Sequence, residues 1–437
     1  MRARKSSFAL AVASTLFAVA LASPTPALAQ AQEPIFAAAK RQSAPLLDTL
    51  KELVAIESGS RDLEGLARLA DLVAGRLRAL GGEVEVVDVS AAIDRRTGDA
   101  PDRVGQAVRA TFKGTGTRKI LLIAHMDTVY QRGMAARQPF RTDGDRAYGL
   151  GISDDKQGIA VILHTLSVLQ GLSFREHGTI TVLINADEEI GSPGSRSLLT
   201  RLGAEHDVTM SFEASRAESD KVSLATAGIA LVTLDVRGKA SHAGAAPHLG
   251  VNALYELAHQ VLQTRDMSRP DIGLKLNWTV ARAGQNRNVI PAEARAEADV
   301  RVLRVSDYEG IEAALRERIG NQLLPGAKVE MRFEPRRPPL EATPASRALA
   351  RHAQAIYREI GKELVVDEVA EGGGTDAAYA ALETKNAVVE RFGLQGFGAH
   401  SNDAEYVLVG SIEPRLYLAA RLIIDLARGK VPEGSSR

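Results

Sequence analysis

The sequence predicts an α/β protein with a mostly parallel sheet, interrupted by a smaller inserted unit with the strand and helix order of a ferredoxin-like domain. Outside the middle of the chain, apolar strand-like runs alternate with helical runs, which is typical of a parallel sheet covered on both faces. Within residues 226–336 the order becomes β-α-β-β-α-β, the split βαβ unit. The length of 437 residues is enough for two or three domains.

The first α/β part contains both helical and strand periodicities. Apolar residues recur at helical spacing from Leu63 to Leu80, and Gly81 and Gly82 end that helix. The segments that follow read in order as strands VEVVDV, AVRATF and KILLIAHMD, helix QGIAVILHTLSVLQ, strand TITVLINAD, helix SRSLLTRLG and strand VTMSFE.

The predicted domain limits lie where the pattern of the inserted unit begins and where alternating helices and strands resume. The insert reads as strand IALVTLDVRG, helix VNALYELAHQVLQT, strands LNWTVARAG and ARAEADVRVL, helix DYEGIEAALRERIGN and strand AKVEMRFE. The second α/β part reads as helix SRALARHAQAIYREIG, strands LVVDEVA and AVVERFG, and helix SIEPRLYLAARLIIDLARG. We therefore expect an outer domain formed by residues 30–225 and 337–437, with residues 226–336 inserted.

The N-terminus is predicted to be a signal peptide over residues 1–29. A basic start, MRARK, precedes the apolar run FALAVASTLFAVALA, and the small residues Ala27 and Ala29 stand before a cut ahead of Gln30. The run is short for a membrane span, so we expect export, to the periplasm or beyond it, without a stable membrane anchor. The alternative is an uncleaved anchor.

Composition excludes several classes of site. The chain contains no cysteine, so an exported form has no disulfides, and any metal must be held by histidine and carboxylate. Lys plus Arg and Asp plus Glu both number 54, which gives no basic surplus for a nucleic-acid partner. A single tryptophan also argues against a base-stacking surface.

Acidic residues and histidines follow several of the predicted strands. They stand in the segments KILLIAHMDTV, GISDDKQG, LINADEEIGS, VTMSFEAS and GFGAHSNDAEYV. The carboxyl ends of parallel strands share one edge of a sheet, so these segments can converge. Converging carboxylates repel one another unless a cation neutralises them. The sequence therefore favours a metal site; the alternative is a set of helix caps and solvated turns.

These segments also resemble a known family, the dinuclear-zinc metallopeptidases that include aminoacylase, desuccinylases and peptidase T. Within it they are most similar to the exported bacterial glutamate carboxypeptidases that cleave folates. The matching segments span about residues 45 to 428 and are HMDTVY, GISDDKQG, DEEIGSPGSR, SFE, GKASHAGAAPHLGVNAL, NVIPAEARAEADVR, EGGGTDAAYAAL and GFGAHSNDAEYV. The resemblance implies a zinc-exopeptidase catalytic domain whose insert is a lid and dimerisation domain.

The resemblance implies two Zn²⁺ per chain, with cobalt or manganese as alternatives. His125 and Glu213 would bind one ion, Glu189 and His400 the other, and Asp154 would bridge them. Zinc accepts imidazole and carboxylate ligands and leaves a position open for water.

Three further residues receive catalytic roles. Asp127 would orient the His125 imidazole, since positions two apart on a strand share a face. Glu188 would be the general base that takes a proton from the attacking water. By resemblance, His242 would reach the site across a dimer interface and support the oxyanion. The alternatives are a turn cap for Asp127, a solvated acid for Glu188 and a loop histidine for His242.

The remaining candidates would contact substrate. The resemblance implies Asn288 and Arg301 on the terminal carboxylate, which an arginine fork matches. Lys221 and Ser223 would bind an acidic side chain of the substrate. The glycines Gly372 to Gly374, with Gly373 at the centre, would offer backbone groups; an ordinary turn is the alternative. Weaker candidates are Asp187 and Asp155, the latter also explained as a helix cap or turn residue.

The sequence departs from the family pattern at three places. Gln157 stands where many relatives have glycine, Ala399 precedes His400, and RRPPLEATP differs from the segment expected of a folate-cleaving relative. These departures are expected to affect the substrate pocket more than catalysis.

The combined prediction is a metal-dependent exopeptidase that releases a C-terminal amino acid, most simply glutamate, from an acyl-amino acid or folate-like substrate. The chain would act as a homodimer through the insert. Two alternatives stay open: an aminoacylase or dipeptidase with the same site, and a periplasmic binding protein with a decayed site.

Overall fold

A computed structural model of the protein describes residues 31–93, 100–370, 373–401 and 404–431. The expected signal peptide, residues 1–29, and Gly372 of the glycine turn lie outside these residues. None of the described helices combines the length and apolarity needed to cross a bilayer.

The described residues contain ten α-helices. In chain order they are α1 Glu33–Arg41, α2 Ser43–Val54, α3 Leu63–Ala79, α4 Gln157–Gly171, α5 Arg196–Glu205, α6 Ala253–Gln263, α7 Asp307–Ile319, α8 Pro344–Glu359, α9 Asp376–Ala381 and α10 Ile412–Ala427. The helix predicted from Leu63 to Leu80 is α3. Its first turn is capped by Asp62, whose carboxylate accepts a hydrogen bond from the backbone N–H of Gly65.

The strands of the same residues form five sheets. They are β1 Glu83–Val87, β2 Ala107–Lys113, β3 Lys119–His125, β4 Arg141–Asp143, β5 Arg146–Tyr148, β6 Thr179–Asn185, β7 Val208–Ser211, β8 Ser215–Arg216, β9 Lys221–Ser223, β10 Gly228–Arg237, β11 Ser241–His242, β12 Lys275–Ala283, β13 Val289–Ile290, β14 Glu293–Val302, β15 Lys328–Arg337, β16 Val365–Asp367, β17 Ala387–Val389, β18 Gln395–Phe397 and β19 Tyr406–Leu408.

The central sheet has six strands in the order β1-β2-β6-β3-β7-β17. The last four run parallel, while β1 and β2 add an antiparallel edge. Along β3, Ile120 and Leu122 pack into the core beneath α3, α4 and α10, whereas Leu121 and Ile123 face α5 and α9. Because both faces are covered, the strand is apolar throughout instead of alternating. The predicted mostly parallel, doubly covered sheet is confirmed.

One predicted strand lies outside the central sheet. The segment LVVDEVA forms β16, which pairs in parallel with β9 in a separate two-stranded sheet. Val365 is largely exposed, and its neighbours are only half-buried. A central parallel strand buries both faces, so a strand with an exposed side chain cannot occupy that position.

The inserted unit has its own four-stranded antiparallel sheet, ordered β12-β14-β10-β15, with α6 and α7 between its strands in the chain. This is the predicted ferredoxin-like order. Its core is separate from that of the central sheet, with Val232, Leu257 and Leu315 almost fully buried. Ile229 pairs with Arg337, and Thr226 forms a bridge with Leu340, so the chain enters and leaves the insert side by side.

Candidate active site and metal centre

Three parallel strands deliver acidic and imidazole groups to one edge of the central sheet. His125 is the last residue of β3 and pairs with Asn185, the last residue of β6. Ser211 ends β7 opposite Ile123. The residues that follow β6 and β7 therefore emerge beside His125, as the ends of parallel strands do.

The predicted metal ligands meet in two overlapping groups. The first contains His125, Asp154 and Glu213: His125 Nε2 lies 2.9 Å from Asp154 Oδ1 and 3.3 Å from Glu213 Oε1. The second contains Asp154, Glu189 and His400: His400 Nε2 lies 2.9 Å from Glu189 Oε2 and 3.4 Å from Asp154 Oδ2. Asp154 thus turns one oxygen toward each group, the arrangement of a bridging carboxylate.

The two sides of this cluster differ in access. His125 is buried, whereas the His400 side chain is 56% exposed, so the cluster opens to solvent on the His400 side. Hydrogen bonds to Asp154 and Glu189 raise the pKa of His400 to about 10. The surrounding anions therefore stabilise positive charge at this position strongly.

Asp127 supports both the first histidine and the loop after β6. Its Oδ1 lies 3.3 Å from Nδ1 of His125. It also accepts hydrogen bonds from the backbone N–H groups of Glu188 (3.0 Å) and Glu189 (3.1 Å), and from the Ser60 hydroxyl (2.8 Å). One buried carboxylate therefore links the His125 ring to the Glu188–Glu189 backbone.

Glu188 is buried and faces a cation that no sequence pattern had indicated. Arg337, the last residue of β15, donates from Nη1 to the Glu188 carboxylate and from Nη2 to its backbone carbonyl at 2.6 Å. Asp376 Oδ1 lies 3.7 Å from the same guanidinium. A Cβ on Gly374 would stand 2.4 Å from Arg337 Cδ, so that glycine leaves the space which the arginine fills. Burial raises the pKa of Glu188, and Arg337 opposes that shift.

The two weaker acidic candidates have structural contacts. Asp187 accepts hydrogen bonds from the backbone N–H groups of Gly194 (2.7 Å) and Ser195 (3.1 Å), which shapes the turn before α5. Asp155 is completely buried and accepts from Gln157 Nε2 at 2.7 Å. In this position it belongs to the packing behind Asp154.

Glu405 is a second residue of the site that was not predicted from the sequence. Its carboxylate accepts hydrogen bonds from the backbone N–H groups of Gly151 (2.9 Å), Ser153 (2.8 Å) and Asp154 (3.1 Å), and from the Tyr130 hydroxyl. Glu405 therefore fixes the loop that carries Asp154. The only available sequence signal was an acid five residues after His400.

The candidates in the insert lie apart from this cluster. His242, in β11, is exposed, and its Nδ1 accepts from the backbone N–H groups of Gly244 and Ala245 at 3.2 and 3.0 Å. The Asn288 carbonyl accepts from Ala243 N–H at 2.9 Å, so the two candidates are neighbours. Among the described residues, no hydrogen bond or ion pair joins either side chain to the acidic cluster of its own chain.

The other substrate-contact candidates are partly engaged. Arg301 forms two hydrogen bonds to Asp299, at 2.8 and 2.9 Å. Lys221 is buried, and its Nζ lies 2.8 Å from Asp367, so a substrate carboxylate would have to compete with that acid. Ser223, on β9, is buried beside Glu390 through backbone hydrogen bonds. Gly373 is exposed with open space around it. Their substrate roles stay predictions.

Residues 121–425 match the family described as Peptidase family M20/M25/M40. Carboxypeptidase G2 from Pseudomonas sp. (strain RS-16) is 46% identical over 405 residues, which cover 92% of this chain and 95% of that protein. A p-aminobenzoyl-glutamate hydrolase homolog of Haemophilus influenzae is 48% identical over 71 residues, 16% of this chain and 17% of its own. The crystal structure of aminopeptidase PepT from Bacillus cereus superposes with a TM-score of 0.71 at 22% identity, covering 88% of this chain and 99% of PepT, and shows a shared fold.

Proposed function

Because the chain belongs to peptidase family M20/M25/M40, we propose that it is an exported dizinc carboxypeptidase that hydrolyses the amide bond to a C-terminal glutamate. The observation that carries this proposal is the pair of donor groups sharing Asp154, next to a buried Glu188. The match with Carboxypeptidase G2 over nearly the whole length of both chains supports the reaction type. The glutamate in the name of the Haemophilus influenzae relative supports the choice of leaving group.

The donor set fits two zinc ions. In each group one imidazole and two carboxylates can offer ligand atoms that lie within 4.8 Å of one another. Glu189 Oε1 is buried and has no hydrogen-bond partner among the described residues, which is costly unless a cation contacts it. His125 and Glu213 would hold one ion, Glu189 and His400 the other, and Asp154 both. When bound, the ions would supply Lewis acidity toward the scissile carbonyl and a more acidic water.

Glu188 would act as the general base. Its carboxylate can accept a proton from the attacking water and return it to the leaving amine. Arg337 and Asp127 hold the two ends of this residue, since one contacts the carboxylate and the other accepts from the backbone N–H. The base is thereby kept in a fixed orientation, which proton transfer requires.

A groove beside the cluster supports an acyl-amino acid substrate. On the Glu189 side lies a groove of about 610 Å³, where Val129 and Ile190 expose apolar surface and Arg61 adds a cation. Such a groove can hold an apolar acyl group that carries hydrogen-bond acceptors.

The insert is proposed to form a homodimer. Its edge strand β12 leaves main-chain groups free to pair, and α6 exposes Leu254, Tyr255 and Leu262. A partner docked there could bring its His242 and Asn288 to this site. Within the described residues neither side chain bonds to the acidic cluster of its own chain, which supports this arrangement. The signal-like N-terminus supports export to the periplasm or beyond.

The rival activity is that of an aminoacylase or dipeptidase with the same site. Hydrolysis rates on N-acyl-glutamate, N-acyl-alanine and a free dipeptide distinguish a glutamate carboxypeptidase, an aminoacylase and a dipeptidase. A preference for N-acyl-glutamate of at least tenfold in kcat/KM is expected, because the acidic side chain would add a charged contact.

The proposal is tested by Glu188→Gln in the zinc-loaded enzyme. We expect kcat to fall about 10²- to 10⁴-fold, the usual contribution of a general base, while metal content stays near two per chain. The matched control is Glu256→Gln, which changes another buried glutamate, within α6 of the insert, and should keep near-normal activity. Near-normal turnover by the Glu188 variant, or a wild-type protein that takes up no zinc, would overturn the proposal.

A further inference from the structure

Gln157 joins the chain segments that carry three of the candidate ligands. It is the first residue of α4 and has no exposed surface. From the sequence alone, this departure from the family pattern was expected to affect the substrate pocket. Complete burial excludes contact with substrate and calls for another explanation.

Both ends of the Gln157 amide, the NH₂ group and the oxygen, form hydrogen bonds to those segments. Nε2 donates to Asp155 Oδ1 at 2.7 Å and to the Phe212 carbonyl at 2.8 Å, and Oε1 accepts from the backbone N–H of Leu394 at 2.5 Å. Asp155 follows Asp154, and Phe212 precedes Glu213. Leu394 precedes β18, the strand that leads to His400.

The Gln157 amide is closely packed against its neighbours. A Cβ on Gly393 would lie 2.4 Å from both amide heavy atoms of Gln157 and 2.2 Å from the Phe212 carbonyl oxygen. A Cβ on Gly158 would meet Asp155 and Phe212 at 2.6 Å. Both glycines thus allow the three segments to close on the side chain, so its length sets their separation.

We infer that Gln157 is a positioning residue of the candidate metal centre, setting the spacing of Asp154, Glu213 and His400 through their neighbours. Among side chains of the same length, ionised glutamate lacks the two N–H donors, and methionine lacks the donors and has only a weak acceptor. This inference rests on the proposed dizinc site. Groups behind metal ligands typically contribute about 10- to 100-fold to metal affinity.

The test compares Gln157→Met with Gln260→Met. Gln260 is also completely buried, and its Nε2 donates to Glu256 (2.7 Å) and the Asn321 carbonyl (3.3 Å), but it lies in α6 of the insert. Zinc affinity is measured by chelator competition, together with thermal unfolding of the zinc-free proteins. We expect Gln157→Met to weaken zinc binding about tenfold or more. Gln260→Met should lower thermal stability by a similar amount and keep zinc affinity within about twofold, as expected of a distant site.

Gln157→Gly provides a second variant that introduces no bulk, should methionine prevent folding. It too is expected to bind zinc more weakly than wild type, because the three segments lose their common partner. Equal zinc affinity in wild type and a folded Gln157 variant, or an equal loss in Gln260→Met, would overturn the inference. Absence of zinc binding by wild type would instead overturn the proposed function, so the two failures are distinguishable.

Discussion

Arg337 is the residue whose removal should reveal most about the site. It is buried, and its guanidinium contacts the carboxylate and carbonyl of Glu188. Leaving one member of a buried ion pair without its partner costs about 3–5 kcal/mol. Glu188 and Asp376 would then face each other without compensation, and the base would lose its orientation.

Arg337→Met is therefore expected to lower kcat/KM at least 100-fold, which corresponds to about 2.7 kcal/mol. The measurement is steady-state hydrolysis of N-acyl-glutamate by zinc-loaded protein, with circular dichroism to verify folding. Arg336→Met is the neighbouring control, since Arg336 pairs with Glu334 at 2.8 Å and is partly exposed. Activity of the Arg337 variant within threefold of wild type would contradict the assignment.

The residue scale also shows what the sequence could and could not predict. Three of the five candidate ligands, His125, Glu189 and Glu213, stand at or just after the ends of neighbouring parallel strands, so strand order brings them together. The other two, Asp154 and His400, follow β5 and β18 of a different sheet, and the sequence alone does not place that sheet beside the central one. Arg337 stands 149 positions from Glu188, in a segment of prolines and arginines with no periodic pattern. A contact of that kind depends on where the insert returns to the outer domain, which a single sequence does not encode locally.

At the scale of elements, the loop before α4 depends on Glu405. Three backbone N–H groups of residues 151–154 donate to this one carboxylate. A glutamine in its place would turn an NH₂ group toward at least one of those donors. An unsatisfied buried donor costs about 1–3 kcal/mol.

Glu405→Gln is accordingly expected to lower the free energy of unfolding by about 1–3 kcal/mol. Amide exchange at residues 151–154 should accelerate by more than in the rest of the core. Denaturant unfolding and hydrogen exchange by mass spectrometry measure the two effects. Glu363→Gln, on an exposed glutamate after α8, serves as control and should change neither. Unaltered exchange in the loop would show that Glu405 does not hold it.

Elements were predicted well where apolar periodicity was long and poorly where it was short. Helix α3 and the ferredoxin-like order of the insert followed from patterns of eight residues or more. The three-residue strand β16 carries too little pattern to specify its partner, and it pairs with β9 because its surface is too exposed for the central sheet. The composition of β1 and β2 likewise did not indicate that they pair antiparallel at the edge of the sheet, because strand direction depends on how the chain connects them.

At the scale of the whole molecule, the proposed dimer predicts complementation between two inactive variants. His242→Ala and Glu188→Gln should each lose activity. Mixed dimers would regain one complete site if His242 serves the partner's cluster. Random exchange then gives about a quarter of wild-type activity, since half of the dimers are mixed and each has one working site of two.

The measurement is activity after co-refolding of the two variants, with sedimentation velocity to establish the dimer. The mixing control uses Asn321→Ala in place of the His242 variant. Asn321 lies beside α6, where its backbone carbonyl accepts a hydrogen bond from Gln260, and is outside the proposed site. Recovery no greater than the sum of the separate variants would contradict a site shared between chains. A monomer at micromolar concentration would contradict the dimer itself.

In the part of the chain that the structure describes, the two connections to the insert run side by side, where Ile229 pairs with Arg337 and Thr226 with Leu340. Strand β10 extends from there for ten residues, roughly 30 Å, toward β11, which carries His242. The attached end of the insert thus lies beside Glu188, the proposed general base, through Arg337. A tilt of about 10° would carry the far end through roughly 5 Å while Arg337 hardly leaves Glu188. Such a tilt would change the position of the far end of the insert while the ion pair of Arg337 with Glu188 stays intact.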